Sequence, residues 1–154
     1  MFFMGIDVGT QGVRSVVTDA EGQVAAAKSV AFATLNAAEE PGLYEQSPDD
    51  WRDAVERSVR GCVAELRRQG IDPERIRSIS IDGTSGTIVP LDGKFAPLTR
   101  GVMYNDPRAA DEAAQVHAAM RAHEARLGLK FGASFSLPRI LWFLRRRPEI
   151  YERT

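Results

Sequence analysis

Residues 9 to 12, Gly-Thr-Gln-Gly, separate two runs that each favour a β-strand, and that short gap constrains the fold more than any other feature. Phe2 to Asp7 is apolar and Val13 to Asp19 is rich in β-branched residues, so the chain must turn back on itself between them. Glu21-Gly22 punctuates again, and Gln23 to Thr34 continues with small and apolar side chains. The pattern predicts three consecutive strands joined by tight turns. A loop, "ATLNAAEEPGLYE", then interrupts it.

"SPDDW" reads as a helix start. Ser47 can cap, Pro48 suits the first helical position, and Asp49 and Asp50 favour the positive helix end. Trp51, Val55, Val59, Cys62 and Leu66 recur at helical spacing on one face, and Gly70 ends the run. Cys62 lies on that face and reads as core filler. "RIRSISID" (75–82) alternates as a strand, "TIVPL" is a second apolar run, Asp92-Gly93 turns the chain, and "GVMYN" is a third strand candidate. Asp106-Pro107 is expected to open a helix running through Ala113, Val116 and Met120 to about Leu127. "GLKFGASFS" is a loop, and "LPRILWFLRRR" a last helix with Pro148 soon after it. Antiparallel strands followed by a helical crossover and another strand predict an α/β fold, a mixed sheet with packed helices.

Composition narrows the function classes. The 154 residues are 44% hydrophobic and 27% charged, with a net charge of -1, which suits one domain with a real core. No long basic run offers a track for nucleic acid, and Arg145-Arg146-Arg147 reads as the polar end of a helix. A single cysteine fits a reducing compartment. No signal peptide is read at "MFFMGID", and no segment reaches the roughly 18 apolar residues of a membrane span. The expectation is a cytoplasmic globular domain with neither nucleic-acid nor membrane partners.

The Gly-Thr-Gln-Gly turn supports two explanations. Its glycines can simply satisfy hairpin geometry. Alternatively, Gly9 and Gly12 let backbone N–H groups converge on an anion, Thr10 and Gln11 add side-chain donors, and Asp7 supplies the hard oxygen that Mg²⁺ prefers, often through water. Backbone donors, a hydroxyl and a carboxylate together form a set suited to a triphosphate. Trp51 and Trp142 fall on apolar helical faces and read as core. His117 and His123, on different faces of one helix, have the wrong spacing for a metal pair and read as surface residues.

"GIDVGTQGVRSVVTD" resembles the first phosphate motif of the actin-like ATPase superfamily, in the D-x-G-T-x-x-x-R form of the FGGY carbohydrate kinases. The resemblance continues in order through "EQSPDDWRDAV", "IRSISIDGTSGTIVPLDGKFAPL", "GVMYNDPRAADEA" and "LPRILWFLRRRPEIYER". Tyr104 stands where tryptophan is usual and Arg139 where lysine is usual. The resemblance implies an incomplete actin-like (ribonuclease H-like) lobe, with residues 1–154 forming the N-terminal portion of the first domain and the adenosine-binding lobe lying outside the chain.

It also implies ATP and Mg²⁺ as cofactors, a small sugar as substrate, and transfer of the γ-phosphate to a ketopentose or polyol hydroxyl. By position, Asp7 would sit near Mg²⁺ and the transferring phosphate, with Gly9, Thr10, Gln11 and Gly12 lining the phosphates. Arg14 matches the motif's arginine, and on its own it suits strand packing or pairing equally well. Thr84, Ser85 and Gly86 occupy the sugar-contacting loop, where xylulose-type kinases often carry "SGQMHG"; "DGTSGT" with "MYND" is more similar to the D-ribulose kinase-like branch. Asn105 and Asp106 suit sugar hydroxyls, and Asp106 equally suits a helix cap.

The family's general base is an aspartate that no residue of this chain matches, so the 154-residue chain is expected to be inactive alone. Cutting a lobe within its sheet exposes an edge and apolar surface, which a homodimer would cover. Three alternatives remain: another actin-like kinase of the glucokinase or acetate type, a non-catalytic sugar- or partner-binding domain, and an actin-like or chaperone-like ATPase. "YNDPR" and "LPRILWFL" argue against the first, and "DGTSG" against the last.

Overall fold

The computed structural model describes residues Met1–Thr154, which fold as two compact units. The first comprises Met1–Leu35 and Asp49–Thr84; the second comprises Asn36–Pro48 and Ser85–Thr154.

Strands β1 (Phe2–Val8), β2 (Gly12–Asp19) and β3 (Val24–Ala31) are antiparallel neighbours in the first unit. The third strand stops short of the expected Thr34, because its partner β2 begins at Gly12, opposite Ala31, and the last in-register bond runs from the Phe32 N–H to Gln11 O in the turn. A two-residue strand, β4 (Glu45–Gln46), starts on the last residue of the expected loop. Helix α1 (Pro48–Arg68) carries Asp49 and Asp50 in its first turn, and Gly70 beyond its end takes the left-handed conformation (φ +76°). A 3₁₀ turn (Pro73–Arg75) leads into β5 (Ile76–Gly83), which pairs in parallel with β1. The sheet order is β3-β2-β1-β5. This is the predicted mixed sheet with a helical crossover.

Period-two alternation sends Phe2, Met4 and Ile6 to the α1 side, where they pack with Val13, Val17, Ala26, Val30, Cys62 and Leu66. Ser15 and Ser58 link β2 to α1 by a buried 2.7 Å hydrogen bond. Burial pushes the Cys62 thiol up, in keeping with a packing role. Residues of opposite parity, Asp7 and Arg14 among them, therefore face away from α1. On β5 the α1-side residues Ile79 and Ile81 stay exposed, at 62% and 61%.

In the second unit the expected strands "TIVPL" and "GVMYN" shrink to β6 (Gly101–Val102), paired with β4, plus single bridges at Ile88 and Leu91. Pro90 and Pro97 lack the N–H a longer ladder needs. Helix α2 (Ala110–Leu127) begins at Ala110, correcting the expected start at Asp106-Pro107, and has no side-chain cap. Helices α3 (Ser136–Arg146) and α4 (Pro148–Tyr151) follow. Val102, Phe143 and Ile150 form this unit's core, with Trp142 against it. His117 is a second correction: its Nδ1 lies 2.6 Å from Oε2 of buried Glu124, which also accepts the Phe131 N–H. No helix is long and apolar enough to cross a membrane.

Candidate functional site

The turn after β1 is built by the β1–β2 register, which sets Asp7 opposite Arg14 and Val8 opposite Val13. Arg14 Nη1 donates to Asp7 Oδ2 at 3.0 Å, with both side chains about half exposed. Arg14 is thus a partner of Asp7. Gly9 donates its own N–H to Gly12 O at 3.0 Å, so that donor closes the turn and does not point at a ligand. Gly12 has a packing reason to be glycine, since a Cβ there would lie 2.4 Å from Val30 O on β3. Gln11 is exposed, and its carbonyl accepts the Phe32 N–H.

The parallel register of β1 and β5 sets Asp82 beside Asp7. Both carboxylates border an open groove of about 480 Å³, with Arg14, Ser29 and Ser80 also on its walls. Asp82 lies directly before Gly83-Thr84, and nothing local in the sequence marks it as a neighbour of Asp7, because strand register is a long-range property. Two oxygen donors suit Mg²⁺, which keeps several waters and takes its remaining ligands from phosphate; no group of three or more His, Cys, Asp or Glu side chains forms a closed metal cage.

The second unit brings Gly86 close to the Tyr104–Asp106 turn. Gly86 is in the left-handed region (φ +82°), and a Cβ there would lie 2.1 Å from Ser134 O and 3.5 Å from Tyr104 Cβ. Glycine is required there on both counts. Thr87 Oγ1 accepts the Tyr104 N–H at 3.2 Å, tying the two segments together. Ser85 and Asn105 are exposed, and Thr84 is half-buried at the end of the first unit.

Asp106 is buried and its carboxylate is fully engaged. Oδ2 accepts the Tyr44 N–H at 2.6 Å and Arg108 Nη2 at 2.9 Å; Oδ1 accepts the Arg108 backbone N–H at 2.9 Å and Nε at 2.8 Å. Arg108 also reaches Glu45 Oε1 at 2.8 Å and lies over the Trp142 ring. Burial alone would raise the Asp106 carboxyl, but Arg108 and the two backbone donors outweigh it and hold it below the usual range. For Arg108, burial pulls down while Asp106 and Glu45 push up, and the pairing wins. Asp106 therefore caps the local turn at Arg108, not α2. Trp142 packs on the core as expected and carries a cation on its ring as well.

In the sequence Arg139 stands out only as an arginine where lysine is usual. It is 1% exposed and spends its guanidinium on main-chain carbonyls: Nη1 on Gly86 O (2.9 Å) and Phe135 O (3.3 Å), Nη2 on Tyr104 O (2.6 Å) and Asp106 O (3.3 Å). Its Nε has no partner, a cost of about 1–3 kcal/mol. Burial lowers its pKa. The visible signal was one cation inside "LPRILWFL"; what it binds could not be read, because its acceptors are backbone atoms.

Residues 2–154 match the FGGY family of carbohydrate kinases, N-terminal domain. A xylulose kinase of Staphylococcus epidermidis is 26% identical over 151 residues, covering 97% of this chain and 29% of that protein. A glycerol kinase of Thermus brockianus is 30% identical over 155 residues, covering 99% of this chain and 30% of its own length. The crystal structure of a xylulose kinase from Brucella ovis superposes with a TM-score of 0.88 at 25% identity, over 99% of this chain and 31% of that one. The chain thus spans about three-tenths of the length of the relatives it matches.

Proposed function

We propose, from the premise that the chain belongs to the FGGY family of carbohydrate kinases and corresponds to its N-terminal domain, that it serves ATP-dependent phosphorylation of a ketopentose. The fold is the α/β actin-like fold of these sugar kinases. The observation that carries the substrate class is the run of xylulose kinases matching nearly the whole chain. The small hydroxyl loop "DGTSG" favours ribulose or a close relative within that class.

In this reading a sugar hydroxyl attacks the γ-phosphorus of ATP, the bond to the bridging oxygen breaks, and ADP leaves. Asp7, with Asp82 beside it, would hold Mg²⁺ through water, and the ion would neutralise phosphate charge. Arg14 keeps the Asp7 carboxylate oriented between turnovers. Thr10, Gln11 and the backbone to Gly12 would line the phosphates, with Gly9 setting the turn through its own N–H. Thr84, Ser85, Gly86 and Asn105 would meet the sugar. Asp106 takes part as the anchor of its turn, its oxygens being already engaged.

The hydroxyl proton needs a base, and no residue of the chain matches the family's aspartate, so the 154-residue chain is inactive alone. A cytoplasmic setting accompanies this reading. The glycerol kinase relative at 30% identity favours a second reading in which the acceptor is a triol. A panel of D-ribulose, D-xylulose, L-ribulose and glycerol, assayed for ADP release with a protein extended to kinase length, separates the two. Turnover on none of them defeats both, and sugar-dependent turnover by the 154-residue chain defeats the inactivity claim.

A further inference from the structure

We infer that Arg139 is a positioning residue that turns two peptide units so that the N–H groups of Thr87 and Asn105 form a donor pair for oxygens of a polyhydroxylated ligand. The inference rests on the reading of residues 84–86 and 104–105 as sugar-facing loops, and goes beyond it in naming backbone donors and the side chain that aims them.

The 86–87 and 104–105 peptides both present their carbonyls to the same guanidinium, Gly86 O to Nη1 at 2.9 Å and Tyr104 O to Nη2 at 2.6 Å. Neither peptide is cis. In a planar trans peptide the N–H points opposite to the C=O, so the Thr87 and Asn105 N–H groups are directed away from the buried guanidinium. Neither has an acceptor within the chain, whereas the neighbouring Tyr104, Asp106 and Ile88 N–H groups are all engaged. The Tyr104 N–H to Thr87 Oγ1 bond keeps the two peptides side by side. Asn105 is exposed and Thr87 half-buried.

Anchoring by a cation does more than fix direction. A positive group on a carbonyl oxygen polarises the amide and makes its N–H a stronger donor. Four carbonyl acceptors and no carboxylate partner leave the Arg139 charge directed wholly onto main chain. Such donors suit hydroxyl and carbonyl oxygens of a neutral sugar, which offer acceptors at close spacing.

The test is an amide-resolved NMR titration of the ¹⁵N-labelled chain with D-ribulose and then D-xylulose, for the wild type, Arg139→Met and Arg139→Lys. The expected result is saturable shifts at the Thr87 and Asn105 amides. In Arg139→Met those shifts disappear and affinity falls about tenfold, while α2 and α3 amides stay in place. Arg139→Lys, which keeps a cation near the carbonyls, recovers part of the loss and serves alone if the Met variant does not fold. Shifts at Ser85 and Tyr104 that spare Thr87 and Asn105 overturn the donor pair and leave the sugar reading standing. Wild-type affinity in Arg139→Met overturns the positioning role. Titration that moves no amide in 84–87 or 104–106 overturns the sugar reading and this inference together.

Discussion

Arg14 Nη1 stands 3.0 Å from Asp7 Oδ2 across one register pair of the β1–β2 hairpin, on the sheet face away from α1. Each side chain is about half exposed, so the pair is held by water-screened attraction and adds little to folding, about 0–1 kcal/mol. Its value is orientation of a carboxylate at a strand end.

Asp7→Ala should therefore leave the urea midpoint of the chain almost unchanged, within about 1 kcal/mol. In a kinase-length protein it should cut phosphoryl transfer by roughly a thousandfold or more, as loss of a preorganised charge partner does. A collapsed fold or retained turnover would remove Asp7 from the phosphate site.

Gly12 and Gly9 should separate in a stability assay. A Cβ at Gly12 would meet Val30 O at 2.4 Å and Ala31 Cα at 2.8 Å, both backbone, so Gly12→Ala should cost about 1–3 kcal/mol by overpacking. At Gly9 the nearest atoms are at 3.4 Å, and Gly9→Ala should melt close to wild type. Equal melting temperatures for the two variants would contradict the close β2–β3 approach.

Asp106 predicts a pH dependence. Its folded carboxyl is held below the usual range, so its contribution to stability is complete above the ordinary carboxylate pKa of about 4 and is lost as pH falls through the folded value. Asp106→Asn should cost about 1–3 kcal/mol at pH 7, because Arg108 keeps Glu45 but loses its second carboxylate, and the Tyr44 and Arg108 N–H groups lose a charged acceptor. It should also flatten the acid limb of a stability–pH curve. An unchanged acid limb would mean that another carboxylate dominates it.

Ser85→Ala should weaken sugar binding by about threefold to tenfold, the worth of one hydroxyl hydrogen bond, with nucleotide affinity unaltered. Calorimetry with each ligand on the kinase-length protein measures both. Equal losses for sugar and nucleotide would take Ser85 out of the sugar loop.

The first unit was largely legible because its signals are local. Alternation in β1 and β2, the Gly-bounded turns and the Trp51-to-Leu66 stripe each lie within one element, and they predicted the sheet and its helix. The second unit was harder to read. Asp106-Pro107 imitates a cap followed by a first helical proline, yet the carboxylate is taken by Arg108 and by Tyr44, 62 residues upstream. The Asp7–Asp82 neighbourhood depends on parallel register, and the Glu45–Arg108–Trp142 group on three distant segments. Residue type does not encode such meetings. Arg139 was the least readable of all, since its acceptors are carbonyls that every residue carries.

That last property has an evolutionary consequence. A guanidinium that grips Gly86, Tyr104, Phe135 and Asp106 only by their main-chain oxygens is indifferent to most of the side chains mounted on those loops. Residues at 85, 104 and 105 can be exchanged one mutation at a time while the loops keep their path, so in the proposed sugar-facing reading selection could retune the accepted ligand without first rebuilding the scaffold. Glycine at 86 is the exception, fixed by its backbone conformation and by Ser134. A single buried cation thereby separates the inheritance of loop shape from the inheritance of the side chains mounted on it.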